Sequence, residues 1–517
     1  MLKLRFGRVA ISSLLVASSL GALACTALLG DFEVLPAGAG SDAGSGADVA
    51  TDAPVTTSDG AVDSGDAGTD GGSYLLNCVE STSSKMKLAE FPRNVDAGGL
   101  GSGPPEEISV FVVAQPGGPH GLALAPDDFG VVHAIEFPLS GPGAPADHPM
   151  PVAAHLLAKK RYATGLAVLT QRYLPVDGGG AVPILEVFKY PDDGSGWVKP
   201  VPLTVPGDIG SLDSCLQNVT ATFEVVDANQ DDYLIAVFFK EAVRISGNTC
   251  GNYAPKLKVS RQKHGTPSAW TSWPIPAGVP SLDLPHDAFV NGNNHAYVMA
   301  NPQSGPSPAG GDTAILFQAD PDTLAPQSSF KVPVKDPNDV LFATGIQDNG
   351  GNTVSMGFLE ANFSAVGSGT KPTLYVGTIP MASIAQTTPA TALPATTLGS
   401  VLDLPVDKGH FHFESYANPA SRNLFLIGRA VTTGKGINFY WFDGQGHLRA
   451  QRAPGAPGGA MMVPANGVLT ASANVTAKGS PSPGLANLQI VWSEDHSAAG
   501  PNAPYELWTS DVLCVPP

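Results

Sequence analysis

Apolar residues in this chain come in short runs broken by Gly, Pro, Asn and Asp, and helical spacing is almost absent. From residue 75 onward the runs include ISVFVVAQ (108–115), VVHAIEF (131–137), ILEVFKY (184–190), YLIAVFFK (233–240) and HAYVMA (295–300). AILFQA (314–319), TLYVGTI (373–379), NLFLIG (423–428), INFYWF (437–442) and LQIVWSE (488–494) continue the series. β-Branched and aromatic residues dominate each run, and turn formers bound it, which predicts strands of an all-β domain. Only AAHLLAKKRYA (153–163) and PMASIAQ (380–386) suggest a helical turn.

The runs recur in phase. SLDSCLQNVTATF from Ser211, SLDLPHDAFV from Ser281 and VLDLPVDKGHFHF from Val401 begin alike, at one and two units of about 60 residues. YATGLAV (162–168) and FATGIQD (342–348) form a second pair, three such units apart. By this count first strands begin near His120, Ala163, Val219, His286, Ala343, His412 and Gly467. Seven units of this size predict an all-β fold, a seven-bladed β-propeller over residues 75–517, with each blade a small sheet around a central channel. The competing arrangement is a pair of β-sandwiches with coincidental spacing.

The first residues change where this domain is expected to reside. Lys3, Arg5 and Arg8 precede an apolar run from Val9 to Ala24 that is short for a membrane span and ends in small residues. Residues 1–24 therefore read as a secretory signal. Gly21-Ala22-Leu23-Ala24-Cys25 resembles a bacterial lipobox, which implies lipidation of Cys25 and a hold on the membrane through that lipid. Thr26 in the following position resembles the sorting pattern of outer-membrane lipoproteins. Residues 25–74 then read as a tether. From Gly38 to Gly72 they are almost wholly Gly, Ala, Ser, Thr, Asp and Pro, with no aromatic and no positive charge. Such a segment cannot bury enough surface to offset its chain entropy, and its reach is about 35–40 Å.

Charge and cysteines sharpen the compartment. The chain carries a net charge of −18, and signal removal takes three further positive charges away. That balance excludes nucleic acid as a partner and an electrostatic hold on anionic lipid. Of the five cysteines, Cys78, Cys215, Cys250 and Cys514 remain for two disulfides. Cys215–Cys250 closing a local loop and Cys78–Cys514 tying the ends of the folded body is the favoured pairing.

Asp192-Asp193-Gly194-Ser195-Gly196-Trp197 keeps the D-x-G-x-x-W core of a hairpin clasp, and 259–276, with Ser260, Gly265 and Trp270, is a degenerate copy. These turns resemble the Asp-box of sialidase-type propellers, a structural device that implies the fold and not the chemistry. Sialidase activity is not expected: the arginine triad and FRIP-like motif of those enzymes have no counterpart here, since arginine is scarce after residue 90.

Several groups can carry chemistry. In a strand, His410, His412 and Glu414 share one face, and two imidazoles with a carboxylate can hold Zn²⁺ or another transition ion. His120, His286 and Asp287 fall at corresponding places of other units and would meet them at a channel mouth. Thr164, Thr344 and Asn466 occupy similar places, so plain polar lining is the competing account. Asp227, Asn229 and Asp231 resemble the Ca²⁺ loop of integrin-type propellers, with Asp232 in place of the turn glycine and Ile235 in place of the closing acid. An acidic β-turn is the alternative. Neither ion is a firm expectation. No G-x-S-x-G, H-E-x-x-H, P-loop or G-x-G-x-x-G motif occurs.

These signals favour a binding module over an enzyme: a lipid-anchored envelope protein recognising a glycan, peptide or protein. The alternatives are an extracytoplasmic hydrolase or lyase built on a His/acid cluster, and an assembly component without a small-molecule site. A recognition module should expose aromatics on one rim, such as Trp441 or Tyr416. Replacing Cys25 by Ala is expected to move the protein from the membrane to the soluble fraction; detergent-phase partitioning checks this, and a membrane-bound variant would contradict the anchor.

Overall fold

The computed structural model describes residues 75–93, 108–274 and 486–516 apart from short breaks, and chiefly the strand backbones between 282 and 477. The signal segment 1–24, the second predicted helical turn beyond Pro380, and Tyr416 lie outside the described residues. Of the expected tether, only Phe32–Glu33 (β1) is described.

Among the described residues the strands make seven sheets. After β1, β2 (Asn77–Glu80) and β3 (Met86–Phe91), the first sheet is the meander β4 (Ser109–Gln115), β5 (Gly118–Pro126), β6 (Val132–Pro138) and β7 (Ala146–Pro149). The second is β8 (His155–Tyr162), β9 (Gly165–Val176), β10 (Gly180–Pro191) and β11 (Val201–Leu203). The third is β12 (Cys215–Asp227), β13 (Asp232–Ser246), β14 (Thr249–Lys263) and β15 (Thr271–Trp273). The fourth is β16 (Leu282–Val290), β17 (Ala296–Pro302), β18 (Ala314–Ala319) and β19 (Pro326–Val332). The fifth is β20 (Asp339–Asp348), β21 (Thr353–Asn362) and β22 (Thr373–Pro380). The sixth is β23 (Gly409–Glu414), β24 (Asn423–Arg429), β25 (Gly436–Asp443) and β26 (Leu448–Arg452), with β27 (Met461–Met462) pairing β25 and β1 pairing β23 in parallel. The seventh is β28 (Val468–Ala477), β29 (Ala486–Asp495) and β30 (Tyr505–Val515), and its outer strands are β2 and β3 from the opposite end of the domain.

This order is that of a β-propeller. First strands of successive sheets lie beside one another, β8 by β12, β12 by β16, β16 by β20 and β20 by β23, and β28 lies by β4. The sheets then pack face to face. Phe111, Val113, Leu122 and Leu124 of the first sheet meet Leu166, Val168, Phe188 and Tyr190 of the second. Leu169, Leu185 and Val187 of the second meet Phe223, Tyr233, Ile235 and Val237 of the third. A strand inside such a sheet is covered on both faces, so its sequence loses the polar alternation of a half-exposed strand. Tyr233 through Phe239 on β13 are all fully buried. Each large side chain hidden in a seam contributes roughly 1.5–3 kcal/mol.

The last seam closes the ring. Leu88 and Phe91 of β3, with Val491, Tyr505 and Leu507, pack on Val110, Ala123, Ile135 and Phe137 of the first sheet. On the other face Leu488, Ile490, Trp492 and Val512 pack with Trp441 and Ala450 of the sixth sheet. Cys78 and Cys514 stand directly opposite on β2 and β30 and form the predicted disulfide. Cys250 is disulfide-bonded too. Cys215, its predicted partner, starts β12 opposite Ala242, near the point where Arg244 of β13 faces Cys250.

Three expectations are corrected. Residues 153–163 contain β8 (His155–Tyr162) rather than a helical turn. Leu156 to Arg161 are buried on both faces of the strand, and its cations are matched across it, Lys160 with Glu224 of β12 (3.6 Å) and Arg161 with Asp192. His120 lies on the second strand of its sheet, not the first, and Ala163 lies in the β8–β9 turn. The YATG and FATG stretches are not equivalent either, since the first spans a turn and the second lies inside β20. The three SLD-like starts, by contrast, all lead into a first strand: β12, β16 and β23.

Replacing Cys78 and Cys514 by Ala is expected to lower stability by about 2–5 kcal/mol. The drop in thermal midpoint under oxidising conditions measures it, and no drop would mean that the seam alone holds the ring closed.

Candidate functional site

One end of the fold collects the groups of interest. In each meander the start of the first strand faces the end of the second: Cys215 is opposite Ala242, Leu282 opposite Pro302 and Gly409 opposite Gly428. First-strand starts therefore share a rim with the turns joining second and third strands.

His410, His412 and Glu414 lie on β23, the first strand of the sixth sheet, at alternating positions opposite Ile427, Phe425 and Asn423. They share one face of the strand, as expected from the sequence. His286 falls on β16 where the register slips between Pro285 and Asp287, so it is the extra residue of a β-bulge, while Asp287 pairs with Met299. The side chains of these five residues lie outside those described. His120 does not join them. It sits on β5 between Val113 and Pro138, and its Nδ1 donates to the Gly118 carbonyl of its own hairpin (2.8 Å).

The Ca²⁺-loop residues are occupied otherwise. Asp227 to Asp232 is a hairpin turn in which Asp227 Oδ1 accepts the amides of Asn229 (2.9 Å) and Gln230 (3.3 Å). Asp231 adopts a left-handed φ of 48° and accepts from Lys189 (2.6 Å) and the Tyr233 hydroxyl (3.0 Å). The turn amides and Lys189 take the carboxylates that a cation would need, so the acidic β-turn is the observed arrangement. The Asp-box turn is likewise structural. Asp193 accepts the Ser195 amide (2.9 Å), Gly194 and Gly196 adopt φ of 75° and 82°, and Asp192 holds Arg161. Trp197 packs edge-on to Tyr190 and donates to the His148 carbonyl of the neighbouring sheet (2.7 Å). Trp273 donates in the same manner to the Leu324 carbonyl of the fourth sheet (3.0 Å).

The rim holds groups the sequence reading did not single out. Trp441 is buried in the sixth–seventh seam, not exposed as expected. Among the described residues the exposed aromatics are Phe129, in the β5–β6 turn, and Tyr173, near the β9–β10 turn, at 49% and 62% exposure, with Leu174 beside the latter. These are second-to-third-strand turns of adjacent sheets.

Two polar clusters stand on the same rim. His133 donates through Nδ1 to Asp147 (3.0 Å) and faces Asp127 Oδ2 through Nε2 (3.5 Å), with the Phe91 ring at 4.6 Å. Burial disfavours its charged form, but the hydrogen bonds to Asp127 and Asp147 outweigh that and raise its pKa to about 9. In the seventh sheet Glu494 and Glu506 are directly opposite, and His496 Nε2 lies 3.5 Å from Glu494 and 3.0 Å from Glu506. Burial raises the Glu494 carboxyl. For Glu506, burial is outweighed by hydrogen bonds from Lys87 and Trp508, which lower it. The signal was present in the sequence: Trp492 and Glu494 alternate in the run 488–494, read only as a strand, and His496 continues that spacing just after it. Deeper in the second sheet, burial lowers the Lys159 ammonium to about 7.

No known protein family matches the chain, and no curated protein matches it. Solved structures similar to it include the fucose-recognising lectin of Aleuria aurantia, a six-bladed β-propeller. It shares 12% identity over 69% of this chain and 97% of its own, with a TM-score of 0.34. The NanB sialidase of Streptococcus pneumoniae shares 6% over 76% of this chain and 83% of its own, with a TM-score of 0.39. A subtype N11 neuraminidase-like protein of A/flat-faced bat/Peru/033/2010 shares 8% over 86% and 95%, with a TM-score of 0.32. The propeller arrangement here stands on the chain's own sheet order and seam cores.

His133 makes the first sheet pH-sensitive. Its folded pKa lies above the unfolded value of about 6.5, so its contribution is complete below that pH and is lost as pH rises through about 9. The thermal midpoint is expected to fall over this window. His133→Ala, which leaves Asp127 and Asp147 without their cation, should cost about 1–3 kcal/mol at pH 6 and flatten the profile. An unchanged profile in the variant would assign the pH dependence to other groups.

Proposed function

We propose that this chain is a propeller recognition module for glycans, displayed on a bacterial outer membrane by a lipid on Cys25 and the tether that follows. The observation that carries the glycan reading is the exposure of Phe129 and Tyr173 at the second-to-third-strand turns of neighbouring sheets. Exposed aromatic rings present an apolar face with a polar edge, on which sugar C–H faces stack while hydroxyls bond to nearby polar groups. The rim supplies such a polar group: Asp128 lies next to Phe129 in its turn. Net negative charge makes neutral sugars better partners than acidic polymers.

A screen of immobilised glycans that includes fucosides, followed by calorimetry on the hits, tests this. Phe129→Ala and Tyr173→Ala are expected to weaken binding by about tenfold each, the loss of one aromatic contact of about 1.4 kcal/mol, with the thermal midpoint unchanged because both side chains are exposed. Absence of any saturable glycan, together with a protein partner that co-purifies through the same two residues, would replace the glycan by a protein ligand.

A further inference from the structure

We infer that Glu494, His496 and Glu506 form a binding site for a divalent transition-metal ion, at the rim of the seventh sheet. The position follows from the strands. Glu494 near the end of β29 and Glu506 near the start of β30 are cross-strand partners, and their side chains project from one face together with Trp492 and Trp508. His496 follows two residues after Glu494, where β29 ends.

Three observations point to a cation. The donor atoms of the three residues all lie within 4.8 Å of one another. With metal–ligand distances of about 2.0–2.2 Å, tetrahedral ligands stand roughly 3.3 Å apart. The His496 separations of 3.0 and 3.5 Å bracket that spacing. Second, Glu494 is 1% exposed, and its Oε2 and His496 Nε2 are buried without a hydrogen-bond partner although they face each other. A cation bound between them would satisfy both the buried carboxylate oxygen and the ring nitrogen. Third, two glutamates directly opposite in a ladder repel, and the two lysines near them are shared: Lys87 between Glu90 and Glu506, and Lys85, which acts on Glu494, with Glu80.

The surroundings fit a held ligand set. Trp492 Nε1 donates to Glu494 Oε1 (2.9 Å), which leaves Oε2 turned to the histidine. Trp508 Nε1 and Lys87 Nζ fix the two oxygens of Glu506 (3.0 and 2.9 Å). Such outer contacts orient first ligands and tune their basicity. One imidazole and two carboxylates select a first-row ion such as Zn²⁺ over Ca²⁺ or Mg²⁺, which take oxygen ligands. Three protein ligands leave at least one position for water or for a ligand oxygen.

The test is Zn²⁺ titration by calorimetry of the detergent-solubilised full chain after chelator treatment, with Co²⁺ absorption as a second readout. Wild-type protein and His412→Ala are expected to take up about one equivalent. Glu494→Gln, an isostere that keeps the Trp492 bond, and His496→Ala should weaken uptake by at least about tenfold and abolish the Co²⁺ spectrum. Glu494→Gln with a native circular-dichroism spectrum serves where His496→Ala fails to fold. No saturable uptake by wild-type protein, uptake unchanged in Glu494→Gln, or uptake lost in His412→Ala instead would each overturn the assignment.

Discussion

Everything in this fold depends on sheets burying both faces against their neighbours. A single small sheet has too little core to stand alone, and here the apolar content lies between sheets rather than within them. Leu169, Val187, Tyr233 and Val237 belong to one cluster although two different sheets supply them. A ring built in this way must return to its start, or two sheet faces are left to water. The return is made by β2 and β3, which complete the seventh sheet and place Phe91 against the first.

The strands were legible because the seams demand continuous apolar runs, and such runs survive in the sequence as ISVFVVAQ or YLIAVFFK. The phase was legible where Leu-Asp leads into a first strand, at Ser211, Ser281 and Val401. It failed at His120 because β4 lies directly before it and pairs with β5, Gln115 opposite Gly118, so the histidine belongs to a second strand. AAHLLAKKRYA misled for a related reason: Lys159, Lys160 and Arg161 have the composition of a solvent-facing surface. The burial of Lys160 and Arg161 depends on Glu224 and Asp192, which come from elsewhere in the chain.

The rim was the least legible part. Trp441 has the composition of an exposed recognition aromatic, and only the neighbouring sheet decides that it is covered. Phe129 is one aromatic among many until its turn is placed. The Glu494–His496–Glu506 cluster needs a hairpin register to bring Glu506 opposite Glu494, and no local spacing encodes that. The first hairpin clasp, being local, was read more faithfully, though Asp193 caps the turn while Asp192 serves Arg161; in the second, Trp273 rather than the expected Trp270 bonds to the next sheet.

The bond between Cys78 and Cys514 also sets how the domain carries load. Residue 78 lies at the very start of the folded body, and its partner lies 436 residues on, in the strand at the other end. Tension arriving along the preceding segment would otherwise unzip β2 from β30 one hydrogen-bonded pair at a time. The covalent link takes that tension on the second pair of the ladder and passes it into β30, whose other neighbours are β29 and β3. Whatever pulls on the N-terminal side therefore pulls on the interior of a sheet rather than on its edge, and the ring stays shut under drag.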